Sequence, residues 1–228
     1  MKRGPRPLDL TLRQRVSCLA HLFKALARQH HAGMLDVLTA LIPADGVVLD
    51  VGAHTGQFTK LFAGLTPRGR VYAFEPSSYA RSILRQVVRW HRLAQVEVVA
   101  TALADTAGAA DLITPIKASG AVGFGLALLG AAAGDARRDR VDVATLDGFA
   151  AARELARIDF IKADIQGSEI RLLRGGAETL ARFRPAVLLE LTADDLGRAG
   201  ADATEAWQRF GVLGFAAFRW EPTADRPL

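Results

Sequence analysis

The stretch Val48-Leu49-Asp50-Val51-Gly52-Ala53-His54-Thr55-Gly56 decides the fold. Gly46 to Val51 is a short, β-branched, apolar run, the texture of a parallel strand covered on both faces. It ends in Gly-x-x-x-Gly, and a helical pattern from Phe58 to Leu65 follows. Glycines in such a turn let the backbone approach a ligand closely and bring helix N–H groups beside it. In open α/β sheets ligands sit at the carboxyl ends of the strands. The spacing does not match Gly-x-Gly-x-x-Gly, which argues against an NAD-dependent dehydrogenase, and no Gly-Lys-Ser/Thr phosphate loop is present.

Outward from this turn, strand and helix patterns alternate. Arg70 to Phe74, Val96 to Ala100, Ile158 to Ala163 and Ala186 to Leu191 read as strands; Tyr79 to His91 and Ile170 to Phe183 read as helices. This predicts an α/β fold, Rossmann-like, with a mostly parallel sheet and helices on both faces. Before it, Leu12, Val16, Leu19, Leu22, Phe23 and Leu26 recur at helical spacing, and Met34 to Ile42 is a second helical stretch. The expected organisation is an N-terminal helical cap at residues 1–42 and a domain at 43–228. The cap is a candidate for covering the cleft or for pairing two copies in a homo-oligomer. Asp111 to Thr114 and Val141 to Ala144 read as short extra strands. Between them Ala118 to Gly134 has no charge and five glycines, the pattern of a hinged flap over an acceptor site.

The 228 residues suit one sizeable domain with a small appendage. Half are hydrophobic and 23% charged, which excludes disorder, collagen and a coiled-coil rod. A single cysteine, Cys18, excludes a disulfide framework and a Cys-rich zinc site, and fits a reducing, cytoplasmic location. Neither a secretory leader nor a membrane span is read, so no stable membrane insertion is expected. The net charge of +5 and pI near 9.9 come from scattered arginines rather than a dense basic run with aromatics, so nucleic acid is not the expected partner. His30-His31 reads as a solvated helix end, because adjacent helix positions point apart and no further ligand is suitably spaced; no metal site is expected. His21 and His91 read as ordinary helix residues, and Trp90, Trp207 and Trp220 as packing.

Two further segments complete a site. Phe74-Glu75-Pro76 follows the next strand, and an acidic residue there accepts hydrogen bonds from both ribose hydroxyls of a nucleoside. A carboxylate in that place, without phosphate-binding Arg or Lys, suits a phosphate-free adenosine ligand such as S-adenosylmethionine. Asp159-Phe160-Ile161-Lys162-Ala163-Asp164-Ile165-Gln166-Gly167-Ser168-Glu169 is another buried strand ending in an acidic residue at the same edge. Asp50, Glu75 and Asp164 are thus expected to gather at one rim of the sheet.

Asp50-Val51-Gly52-Ala53-His54-Thr55-Gly56, Phe74-Glu75-Pro76, Ala102-Leu103-Ala104-Asp105, Thr145-Leu146-Asp147 and Ile161 to Glu169 occur in the order seen in FkbM-type methyltransferases, which the chain resembles over roughly residues 45–220. The resemblance implies a seven-stranded sheet, S-adenosylmethionine as donor, and O-methylation of a hydroxyl on a sugar, polyketide or other small molecule. It further implies that Asp50, Gly52, His54 and Gly56 surround the methionine part, Glu75 holds the ribose, Ala102 and Leu103 lie along the adenine, and Asp164 sits near the methyl group. Ala53, Gln57, Phe58, Pro76 and Ser77 complete the expected cofactor-binding set. The chain departs from the family pattern at His54, where Asn is frequent, and at Gln166, where Glu is. A strand at Phe215 to Trp220 stands close to Leu228, so the fold's last strand is expected to be short or missing.

The expected function is an S-adenosylmethionine-dependent methyltransferase acting on a hydroxyl of a small molecule or glycan. Such an acceptor gains from a base, for which Asp164, then His54 and Glu190, are the candidates. The rival readings are a nucleic-acid methyltransferase, favoured by the pI alone and lacking an Asn/Asp-Pro-Pro-Tyr motif, and a non-catalytic donor-binding protein of the same fold.

Overall fold

The computed structural model describes residues 12–115, 128–129, 136–192, 194, 197 and 203–218. Helix α1 (Leu12–Ala27) and, after a 3-10 turn at Ala32–Met34, α2 (Leu35–Leu41) precede the sheet. Then come β1 (Val47–Val51), α3 (Gln57–Leu65), β2 (Arg70–Phe74), α4 (Ser78–Trp90), β3 (Val96–Val99) and β4 (Thr101–Leu103). β5 (Gly108–Pro115), β6 (Leu128–Leu129) and β7 (Ala136–Ala144) follow, then α5 (Leu146–Ala152), β8 (Phe160–Ala163), α6 (Glu169–Arg174), α7 (Ala177–Phe183), β9 (Ala186–Leu189) and α8 (Ala203–Val212).

Five strands form an all-parallel sheet in the order β3-β2-β1-β8-β9. The chain builds outward from β1 through β2 to β3, then returns to lay β8 on β1's other side. β1 and β8 therefore flank the switch point, where doubly wound sheets open a crevice. The strands are nearly continuous apolar runs because both faces are covered. Leu49, Val51, Tyr72, Phe74, Ile161 and Ala163 meet α5, α6, α7 and α8, while Val48, Val71 and Phe160 meet Leu38 of α2 and Phe62 of α3. Phe62 and Phe160 have no exposed surface to speak of, and each such side chain contributes about 1.5–3 kcal/mol. Two helix starts are capped by side chains: Ser77 Oγ accepts from the Ala80 N–H, and Thr145 Oγ1 from the Gly148 N–H.

Several expectations are corrected. The 170–183 helix is two, α6 and α7, broken at Gly175-Gly176. A Cβ on Gly175 would stand 2.1 Å from the Ala104 carbonyl oxygen, and one on Gly176 2.6 Å from Leu146 Cδ2, so close packing on neighbouring chain breaks the helix. The two short extra strands are full-length partners, antiparallel to each other along Gly108↔Val143 to Pro115↔Ala136. With β4 and β6 they make a separate four-stranded sheet, β4-β7-β5-β6, so that among the described residues the strands form a five-stranded and a four-stranded sheet and not one seven-stranded sheet. Residues 215–218 have no strand, and Trp220 lies outside the described residues. Ala118 to Gly134 also lies outside them, apart from Leu128–Leu129, which pair with Ile113 and Leu112.

α1 packs on α4 through Cys18, Leu22, Ala25 and Leu26 against Tyr79, Ile83 and Val87, with His21 Nδ1 3.0 Å from Tyr79 Oη. The other half of its apolar pattern, Val16, Leu19 and Phe23, is exposed, as are Trp90 and Trp207. Among the described residues no helix is long and apolar enough to cross a membrane, and no three His, Cys, Asp or Glu side chains cluster in a metal-holding arrangement.

Candidate active site

A cavity of about 250 Å³ opens at the carboxyl ends of β1, β2 and β8. The turn after β1 forms its floor. Gly52 and Ala53 both donate backbone N–H bonds to the Phe74 carbonyl, at 3.1 and 2.9 Å, which pins the turn to the end of β2. Gly52 has φ 79, and a Cβ there would lie 2.0 Å from the Asp164 carbonyl oxygen. The glycine is thus required first by the approach of the chain after β8. Gly56, φ 88, opens α3, and a Cβ on it would press 2.7 Å from Leu84 Cδ1 of α4. Gly56 serves helix packing and does not line the cavity.

Glu75 is fixed at one end. Its Oε2 accepts the His54 N–H and its Oε1 the Ser77 N–H, both at 2.8 Å. The carboxylate is 6% exposed, and burial raises its pKa from 4.5 to about 7, against the opposing pull of those two N–H groups. Each oxygen keeps a free acceptor position. A carboxylate with acceptor capacity left on both oxygens can take hydrogen bonds from two neighbouring hydroxyls. Pro76, Ala102, Leu103 and Leu112 make an apolar shelf beside it, fit for a planar ring, with Thr101 at its margin.

The other end is charged. Asp164 follows β8, and β1 lies between it and Glu75, so the two carboxylates stand on strands about 10 Å apart. Gln166 Nε2 donates to Asp164 Oδ1 at 3.2 Å, while Lys162 Nζ lies 3.6 Å from Oδ2. Lys162 also donates to the Gly52 carbonyl at 3.1 Å, stands 3.7 Å from Asp50 Oδ1, and lies 5.3 Å from the Phe58 ring centroid. Asp50 is fully buried and does not line the cavity. Its Oδ2 accepts Thr59 Oγ1–H at 2.6 Å, Oδ1 has no hydrogen bond, and burial raises its pKa. Glu75 and Asp164 therefore share one cavity, whereas the third carboxylate lies beneath it and reaches it only through Lys162.

Of the other expected residues, Gly52, Ala53, His54, Gln57 and Phe58 line the cavity and Ser77 does not. Ser77 caps α4 and orients Glu75. His54 holds a left-handed φ of 49. Its pKa is lowered, first by desolvation, with Asp164 opposing. Glu190 follows β9, two strands from β1, and is exposed away from the cavity. The sequence reading missed Lys162, Thr101, Leu112 and His31, all of which line it. An ammonium inside a buried strand was the available signal for Lys162. His31 gave none, since its place depends on how the N-terminal helices dock.

A family model for the FkbM methyltransferase domain matches residues 50–216. The chain belongs to the FkbM methyltransferase family. A curated 2-O-methyltransferase, NoeI of Sinorhizobium fredii, is 26% identical over 164 residues, 65% of this chain and 64% of its own length. The AMB antimetabolite synthetase AmbE of Pseudomonas aeruginosa is 43% identical over 65 residues, 28% of this chain and 3% of that protein. The chain thus spans less than two thirds of either relative. The crystal structure of an FkbM methyltransferase from Methylobacillus flagellatus KT, 15% identical, aligns over 86% of this chain and 53% of that one with a TM-score of 0.50, which speaks to the fold.

Two of the FkbM-like segments hold the frame. Asp147 accepts the Thr179 N–H at 2.7 Å and the Glu178 N–H at 3.3 Å, filling open donors at the start of α7. Asp105 pairs with Arg171 of α6 at 2.9 Å. Gln166 makes the one bond a carboxylate there would turn into repulsion, donation to Asp164.

Proposed function

We propose that this chain is an S-adenosylmethionine-dependent methyltransferase that methylates a hydroxyl of a small molecule or glycan. The observation that carries the reading is the pair of ends of one cleft: an oriented carboxylate, Glu75, after β2, and the Asp164–Lys162 pair at the end of β8, a strand about 10 Å from β2 across β1. That span suits a nucleoside whose ribose lies on Glu75, whose base lies on Ala102, Leu103 and Leu112, and whose sulfonium is turned toward Asp164.

When bound, the donor supplies a methyl group already activated on a positive sulfur. The protein's part is placement, because an in-line approach at about 3 Å accounts for much of the rate in such a displacement. Glu75 fixes the register of the donor, and Asp164, oriented by Gln166, offers negative charge beside the reacting centre. Lys162 balances Asp164 and the buried Asp50, so that neither carboxylate is left isolated in a poorly solvated place. The 2-O-methyltransferase name of NoeI supports oxygen as the acceptor atom.

Titration calorimetry with S-adenosylmethionine and S-adenosylhomocysteine tests the donor half. Release of S-adenosylhomocysteine in the presence of methyl glycosides tests the acceptor half. Tight one-to-one binding of both nucleosides and hydroxyl-dependent release are expected; absence of binding contradicts the reading.

A further inference from the structure

The segment that joins α1 to α2 is fastened to the first turn of α3, at the edge of the cleft. Lys60 Nζ donates to the carbonyls of Ala25 and Arg28, 2.7 Å each, and so closes the end of α1, where the last carbonyls lack helical partners. Gln57 is held twice: its Oε1 accepts the His30 N–H and its carbonyl accepts Gln29 Nε2, both at 3.1 Å. His31 is then placed with φ 64 and ψ 17, a left-handed conformation that a non-glycine residue keeps only where its surroundings impose it. Its ring lies on Phe58, centroids 4.3 Å apart and planes 19° from parallel. Phe58 in turn neighbours Lys162, so His31 lines the cavity at its Asp164 end, exposed at the mouth. The three charged or titratable groups that act on it are His30 of its own segment and Lys162 and Asp164 of the β8 end.

We propose that His31, presented by the join between α1 and α2, stands on the acceptor side of the active site and takes the proton of the acceptor hydroxyl. The inference rests on the methyltransferase reading above. In the step, the acceptor oxygen bonds to the methyl carbon as the carbon–sulfur bond breaks, and the sulfur keeps that electron pair. The hydroxyl proton passes to the unprotonated imidazole nitrogen and then to water at the mouth. Asp164 is less suited to this task, since it is already engaged by Gln166 and Lys162. Desolvation, aided by His30 and Lys162 and opposed by Asp164, lowers the His31 pKa from its ordinary value, which favours the unprotonated imidazole that the step needs.

The test begins without any acceptor. Side-chain NMR titration of the histidines in the wild-type protein, with His31→Gln to assign the resonance, is run on the free protein and with S-adenosylhomocysteine or sinefungin, whose amine carries positive charge where the methyl group sits. The His31 pKa is expected to be lower by about half a unit or more with sinefungin than with S-adenosylhomocysteine. An identical pKa in both complexes overturns the proposal while leaving the donor reading intact; failure of either nucleoside to bind removes both. His31→Ala is expected to keep S-adenosylhomocysteine affinity within about twofold, and a larger loss would make His31 a donor ligand instead. With methyl hexosides and methyl 6-deoxyhexosides as acceptor probes, wild-type turnover is expected to fall on the acid side with a histidine pKa. His31→Gln is expected to lose that limb and to be at least about a hundredfold slower. A variant that keeps the limb overturns the proposal, and a wild type that methylates none of the probes removes the hydroxyl-acceptor reading on which it depends.

Discussion

Glu75 ties stability and donor binding to pH with opposite signs. Its buried carboxyl titrates at about 7 in the folded protein, against 4.5 ordinarily. The folded state therefore holds this proton more tightly than the unfolded state. The resulting stabilisation is complete below pH 4.5 and is lost as pH rises through 7. At about 1.4 kcal/mol per pH unit, the interval from 4.5 to about 7 amounts to about 3 kcal/mol. Ribose hydroxyls, in contrast, donate to the ionised form. S-adenosylhomocysteine affinity is expected to rise about tenfold per unit up to pH 7 and to level off above it. Urea unfolding and calorimetric titration from pH 4.5 to 8, on wild type and Glu75→Gln, separate this carboxyl from others. Asp50 and Glu169, whose pKa values burial also raises, remain in both proteins. The difference between the two stability curves is expected to slope by about 3 kcal/mol across that range, with the variant's donor affinity nearly flat. Parallel curves, or wild-type affinity that ignores pH, would refute the reasoning.

Asp164→Asn is expected to slow turnover by about a hundredfold while donor affinity falls less than tenfold, because its charge matters most at the reacting centre; equal losses in single-turnover and binding assays would make it a structural residue. Lys162→Met strips the counter-charge from buried Asp50 and is expected to cost about 3–5 kcal/mol in urea unfolding, with Asp50→Asn/Lys162→Met less damaged than Lys162→Met alone. A double variant worse than the single would show that the pair is not coupled. Gly52→Ala puts a Cβ 2.0 Å from the Asp164 carbonyl and is expected to cost about 3 kcal/mol or more by thermal unfolding; a near-neutral result would mean that the β1 turn and the chain after β8 are less closely joined.

The sheet was legible because its strands are covered on both faces and read as nearly continuous apolar runs, as in Val47–Val51 with only Asp50 polar. Glu75 and Asp164 were legible for the same reason, since each is an acidic residue just past such a run. What stayed hidden depends on contacts between distant segments. Gly175-Gly176 breaks a helix that propensity alone would continue, because Ala104 and Leu146 press on it. Asp50 looked like a cavity residue by its place in the motif, yet strand alternation turns it inward onto Thr59 and Lys162. Gly52 and Gly56 looked like ligand glycines and serve chain packing first. His31 was read as a solvated end, and the docking of the join between α1 and α2 on Gln57, Phe58 and Lys60 brings it to the cleft. Half of the apolar stripe on α1 faces outward, which periodicity cannot distinguish from the packed half.

A crystal of the protein soaked with S-adenosylhomocysteine measures the central claim most directly. The ribose hydroxyls are expected within hydrogen-bonding distance of both Glu75 oxygens, the adenine on Ala102 and Leu103, and the sulfur on the Asp164 side of β1. A nucleoside bound elsewhere, or lying with its ribose away from Glu75, would contradict it.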